Sequence, residues 1–277
     1  MYKIKLLVGF HYEEEEILSE ERVRERAPMG YGGASIAFIA VYGAINGALA
    51  LVPIFPYFGG GGFIPLSVIF TAIGPLVLGP IGGILAAIIG GFIGMFVSPA
   101  MFPLGLLDVL LTGILPALFV ALMINTDNTL DWILTILAVL ITGVMFLVFP
   151  YVWPGLAGET PDMLFFLSTL VFWVPWLIIL LTPIGKSWIP QWARGDDIMK
   201  RYIGVFLAVL MGIEVFYYWW GAPYWYIFNY PVALAFAANL GYTWWWPILC
   251  IITTIIAIPV VEALKRSGLP RIPRAIW

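Results

Sequence analysis

The sequence predicts an all-α polytopic membrane protein, a helical bundle of about eight transmembrane spans. Three observations carry that expectation. The 277-residue chain is 62% hydrophobic and only 10% charged, whereas soluble domains carry roughly 25% charged residues. No charged side chain occurs between Arg26 and Asp108, a run long enough for three spans of about 20 residues each. The 13 lysines and arginines fall into three clusters separated by long apolar stretches.

The boundaries read as a charged leader over 1–33, a six-span membrane core over 34–184 and a polar loop over 185–201. Two further spans over 202–264 and a tail over 265–277 complete the chain. In the leader, Glu13 to Glu16 and the following SEERVRER suggest a solvated or surface helix with a thin apolar edge. No cleavable signal peptide is visible, because the first apolar run is short and glutamates follow it.

The first span is expected from roughly Ala34 to Leu51. Ala40, Ala44 and Ala48 recur at a spacing of four, and Asn46 is its lone amide, which must find a partner inside the bundle. Four glycines, Gly59 to Gly62, follow in a segment that costs much backbone entropy to order, which reads equally as a flexible turn or as a gating loop at a site. The stretch from Phe63 to Ser98 organises the rest. It is uncharged and rich in Gly and Pro, and Gly79, Gly83, Ala87, Gly90 and Gly94 line one helix face. Such a face lets helix backbones approach closely where lipid removes the hydrophobic drive between helices. The second span is expected over Pro65 to Leu78 and the third over Ile81 to Val97, meeting at Gly79-Pro80.

The fourth span runs from about Leu104 to Ile124 with Asp108 in its first turns, the fifth from Trp132 to Trp153 and the sixth from Asp162 to Pro183. The seventh is expected over Tyr202 to Trp220 and the eighth over Thr243 to Leu264. The aromatic linker between them holds a re-entrant or interfacial helix at Pro231 to Leu240. Eight spans would place all three basic clusters on the cytoplasmic side, with both termini inside and the aromatic loops outside.

Composition narrows the chemistry. The single histidine, His11, lies in the leader, and the single cysteine, Cys250, lies in an apolar segment. That argues against an intramolecular disulfide and against histidine-ligated metal or haem in the bilayer. There is no phosphate loop and no paired acid and base, so neither an enzyme nor a cofactor is expected. Intramembrane ionisable residues are the default functional candidates, and they are Asp108 and Glu214. Neither has a basic residue at its depth, which favours a polar pocket or a cationic or hydrogen-bond-donating ligand.

The region from Ala34 to Met123 resembles the substrate-binding membrane subunits of energy-coupling factor vitamin transporters. The resemblance rests on the AxxxA-type spacing at Ala40, Ala44 and Ala48, on GGFIPLSVIFTAIGPLVLGPIGGILAAIIGGFIG, and on Asp108 opening the fourth helix. It implies a six-helix core that takes a small vitamin-like solute from outside, with a pocket under the Phe58 to Phe63 loop. It also implies that the alanine face contacts a transmembrane coupling subunit driven by separate ATPases in the plasma membrane. Eight expected spans and an aromatic C-terminal third depart from the family's six helices. The candidate solute-binding residues are Asn46, Gly60, Gly61, Asp108, Trp153 and Glu214, and the candidate partner contacts are Ala40, Ala44 and Ala48. The alternative reading is a non-catalytic accessory subunit of a larger membrane complex, given the dense aromatic third and the lack of chemistry.

Overall fold

The computed structural model describes residues 30–152 and 155–277. The expectations placed on the leader before Gly30, and on Trp153, lie outside the described residues.

Small residues decide how the first helices meet. Helix α1 (Ile36–Leu49) starts at Ser35, whose hydroxyl accepts the Phe38 N–H at 3.2 Å and so caps the helix. Helix α2 (Ser67–Val97) contains one non-helical residue, Gly79, at φ 70° and ψ 172°. Only glycine takes this conformation without strain, and Pro80 cannot continue the preceding ladder. The two arms, 67–78 and 80–97, double back on each other. A Cβ on Gly83 would lie 2.3 Å from the Pro75 nitrogen, although residues eight apart on a straight helix are about 12 Å apart.

Helix α1 lies on the second arm through its glycines. A Cβ at Gly43 would meet Ile89 at 2.8 Å, and one at Gly47 would meet Ile93 at 2.5 Å. Ala40, Ala44 and Ala48 occupy a different face of α1 and are exposed. Helix α3 (Leu106–Met123) packs where Gly91 clears Val109. Its stretch Val109–Ile114 is π-helical, immediately before Pro116, which lacks the N–H that an ordinary turn would use.

The first arm of α2 is the buried axis of the bundle: from Ser67 to Gly79 only Phe70 is even partly exposed. At about 18 Å it is shorter than the roughly 30 Å hydrocarbon core of a bilayer. The C-terminal tail closes its end. The Ile276 N–H donates to the Leu76 carbonyl at 3.0 Å, and the Trp277 indole donates to the Val77 carbonyl at 2.7 Å. Helix-terminal carbonyls have no partner within the helix, and here the tail supplies one.

The later elements depart from the expected boundaries. Helix α4 spans Thr129–Val152. The expected sixth span is broken into α5 (Met163–Leu170) and α6 (Val174–Leu180), with Pro175 just after the break. The expected polar loop is instead a π-turn, Ile184–Trp188, and a short helix α7 (Ile189–Arg194). Helix α8 (Ile198–Ile227, 30 residues) and helix α9 (Val232–Arg266, 35 residues) absorb most of the expected aromatic linker. Residues expected as a separate helix at 231–240 are the first turns of α9. The all-α expectation also misses two small antiparallel hairpins. Strand β1 (Gly30–Tyr31) pairs with β2 (Ala34–Ser35), and β3 (Pro53–Pro56) pairs with β4 (Phe63–Pro65).

By length and composition five helical stretches could cross a membrane: Ser67–Val97, which is folded into two arms at Gly79, Leu106–Met123, Met163–Leu180, Ile198–Ile227 and Val232–Arg266. The chain is therefore an α-helical, multi-pass membrane protein. Its two ends differ in chemistry. Arg194 bonds Asn125 at 2.5 Å and Asp127 at 3.2 Å, Arg201 pairs with Glu262, and Arg274 pairs with Asp131. Lys186 sits 4.5 Å from the Trp132 ring centroid. Among the described residues, every lysine and arginine gathers at this end with the tail. The opposite end holds the β3–β4 hairpin, Asp108, Glu159, Asp162 and the α8–α9 connection.

Two substitutions test the axis. Gly83→Ala drives a methyl into the Pro75 backbone and should lower stability by roughly 1–3 kcal/mol, whereas Ala44→Leu on the exposed face should change it by less than about 0.5 kcal/mol. Thermal unfolding in detergent reads both. Trp277→Ala, which uncovers the Val77 carbonyl, should cost about 3–5 kcal/mol in the same assay.

Candidate functional site

The aromatic end is built by a hairpin loop and the facing ends of three helices. In the loop 57–62, the Tyr57 N–H donates to the Gly62 carbonyl at 3.0 Å and the Gly60 N–H to the Tyr57 carbonyl at 2.9 Å. Gly60 and Gly61 take φ values of 77° and 85°, so the turn needs glycine at both. The other glycines of this end clear aromatic rings. A Cβ at Gly59 would strike the Tyr230 ring at 2.0 Å, one at Gly62 the Tyr57 ring at 2.4 Å, and one at Gly241 of α9 the Phe58 ring at 2.1 Å. The loop is thus an ordered cover, seated by its own rings.

Beneath it lies a small cavity of about 10 Å³ lined by Tyr57, Phe58, Trp220, Tyr224, Tyr230 and Tyr242, among others. That is room for roughly one water molecule. The rings meet mostly edge to face: Tyr57 and Tyr224 at 5.2 Å and 81°, Phe58 and Tyr242 at 4.9 Å and 88°, Trp220 and Tyr242 at 5.4 Å and 85°. Edge-to-face pairs place the positive ring edge on the negative face of the next ring, worth about 0.5–1.5 kcal/mol each beyond burial. The Tyr230 hydroxyl donates to the Gly60 carbonyl at 3.2 Å and ties the loop to the α8–α9 connection.

Asp108 stands beside the cavity and is fully buried. One carboxylate oxygen accepts the Leu104 N–H at 2.6 Å and the other accepts the Tyr224 hydroxyl at 2.7 Å. The Tyr224 and Tyr57 hydroxyl oxygens are 3.5 Å apart. Burial pushes the phenols of Tyr57 and Tyr230 above their usual range, so both stay neutral. The Trp220 indole N–H is buried without a hydrogen-bond partner among the described residues.

The sequence candidates separate. Gly60, Gly61 and Asp108 come together at this end. Asn46 does not line the cavity: its amide donates to Thr71 at 3.0 Å across the α1–α2 interface, where Gly90 makes room for it. Glu214 lies elsewhere on α8 and accepts the Trp176 indole N–H at 2.5 Å. Trp153 lies outside the described residues. Ala40, Ala44 and Ala48 form an exposed stripe on α1. Sequence reasoning passed over Tyr57, Trp220, Tyr224, Tyr230 and Tyr242, which read as an interfacial aromatic belt. It also passed over Asn239, which accepts the Tyr217 hydroxyl at 2.9 Å and donates to Ser168 at 3.0 Å.

The groups gathered here offer recognition: ring faces, neutral phenols, one carboxylate and a free indole N–H. Among the described residues, no three His, Cys, Asp or Glu side chains come together as metal ligands.

Gly241→Val fills the slot of the Phe58 ring and should unseat the cover. Hydrogen exchange at 57–62 should then rise at least about tenfold while exchange in the first arm of α2 stays unchanged. No family model, curated protein or solved structure matches this chain.

Proposed function

We propose that this chain is the membrane-embedded solute-binding subunit of an uptake transporter, energised by separate coupling and ATPase subunits. The observation that carries the reading is the aromatic cavity beside Asp108, roofed by a glycine loop. A lid that can open on glycines over a buried, ring-lined recess is how a protein takes a small solute out of water. Supporting it, the described basic residues gather at the end away from the cavity. If that end lies inside, as the positive-inside rule asks, the cavity opens at the outer face and the tail lies in the cytoplasm. The resemblance to the energy-coupling factor substrate-binding subunits belongs to the same reading, and the plasma membrane is its site. The exposed alanine stripe offers a coupling subunit a face that another helix can approach closely.

A second reading, a non-catalytic accessory subunit of a larger membrane complex, is favoured by one observation. The cavity as it stands has room for about one water.

Native mass spectrometry of the gently solubilised protein separates the two. A small molecule on the isolated chain supports the transporter reading. A solute-free chain that always carries other polypeptides supports the second. In cells, Ala40→Trp with Ala44→Trp should abolish uptake and leave solute binding within about twofold. Unchanged uptake would remove the coupling role of the stripe.

A further inference from the structure

We infer that the cavity under the glycine loop takes a small organic ammonium ion that also carries a hydroxyl or carbonyl oxygen. This rests on the solute-binding reading and names its substrate class. The first ground is the walls. Tyr57, Phe58, Trp220, Tyr224, Tyr230 and Tyr242 wall the cavity, and several of their faces carry a neighbour's positive edge, as in the Trp220–Tyr242 pair at 85°, so a cation would take the place of those edges. A cation among ring faces is attracted by their quadrupoles, and ring cages are how quaternary ammonium groups are recognised.

The second ground is charge. Asp108 is fully buried and its partners are an amide and a phenol, so its negative charge has no cation to offset it. The hydrogen bond from Tyr224 sets that carboxylate directly behind a ring of the cavity wall. Glu159 and Asp162 cap helices at the same end, through the Val232 N–H at 3.1 Å and the Phe165 N–H at 2.9 Å. Among the described residues, all lysines and arginines lie at the opposite end. The residues that line the cavity are uncharged, but the carboxylates around it give this end of the molecule a negative field, which favours cations over anions.

The third ground is the Trp220 indole. It is a donor only, it is buried without a partner among the described residues, and it lines the cavity. A buried donor left unmade is costly, and an oxygen on the solute would satisfy it. The present volume suits the closed, empty site. An ammonium head needs more room than the one water that fits here, so its binding requires the rings on the glycine loop, Tyr57 and Phe58, to move outward.

The test uses choline and its uncharged isostere 3,3-dimethylbutan-1-ol, titrated calorimetrically into the full chain in lipid nanodiscs. Choline should bind at least about tenfold more tightly than the alcohol. Asp108→Asn should narrow that ratio, and Trp220→Phe should weaken both probes through the lost N–H and choline further through the weaker ring face. Competition by tetramethylammonium on the unaltered chain gives the same answer without depending on a variant's folding. Equal binding of the two probes would overturn the ammonium class, as would a neutral or anionic solute captured by native mass spectrometry with neither probe bound. Both of those outcomes leave solute binding standing. A chain that captures nothing and binds neither probe would overturn the solute-binding reading as well.

Discussion

A backbone carbonyl in hydrocarbon has no water to turn to, and this chain is arranged around meeting that constraint at one place. The first arm of α2 is buried on every side and stops at Gly79, well short of a full crossing. Irregular backbone at such a depth is tolerated only where protein surrounds it. Protein does so here from two directions. The Tyr42 hydroxyl of α1 donates to the Phe70 carbonyl at 2.7 Å, and the C-terminal tail donates to the carbonyls of Leu76 and Val77. The tail is itself held by Arg271, whose side chain donates to the Trp277 carbonyl at 2.7 Å. The basic end is therefore more than a topological signal, because its arginines anchor the segment that completes the buried axis.

Glycine does two different jobs along this framework. In the membrane core it lets backbones touch: Gly83 against Pro75, and Gly212 of α8 against Val120 of α3, where a Cβ would lie 2.9 Å from the Val120 nitrogen. Dispersion between closely set backbones replaces the hydrophobic drive that lipid cancels. At the aromatic end glycine instead vacates space for rings. Gly59, Gly62 and Gly241 each clear one ring of the cover, and the edge-to-face contacts they permit hold the loop closed. The same residue type thus brings backbones together in the core and rings together at the aromatic end.

Much of this was legible in the sequence. The charge-free run from Arg26 to Asp108 announced the membrane, and the turn at Gly79-Pro80 was marked by a residue that tolerates positive φ followed by one that cannot continue a helix. Asp108 stood out because an acid without a base is conspicuous in lipid. The helix ends were less legible. Gly221, Pro223 and Pro247 punctuate the C-terminal third, yet α8 and α9 run through them, because a long helix in a membrane tolerates the loss of one hydrogen bond that its neighbours can make good. The ring cage was hidden for another reason. Tyrosine and tryptophan are expected at both membrane surfaces, so local sequence does not separate rings facing lipid from rings facing one another. Only the fold brings Tyr57 within reach of Tyr224, 167 positions later. The alanines and glycines of α1 show the same limit. They are neighbours in sequence, but the helix turns the glycines onto α2 and the alanines outward.

The two buried carboxylates show why position decides use. Both Asp108 and Glu214 lack a cationic partner, and each is held by an aromatic donor: Tyr224 for the first, Trp176 for the second. Glu214 sits where α6, α8 and α9 close around it, and it does not line the cavity. Asp108 sits at the mouth of α3, beside the cavity under the glycine loop, at the end of the molecule from which the described basic residues are absent. A carboxylate costs free energy to bury wherever it lies, but only at such an edge can an arriving cation offset the cost. Closing the glycine loop over that cation would expel water and strengthen the attraction at the same time. On the proposed solute-binding reading, binding and closure would then favour each other.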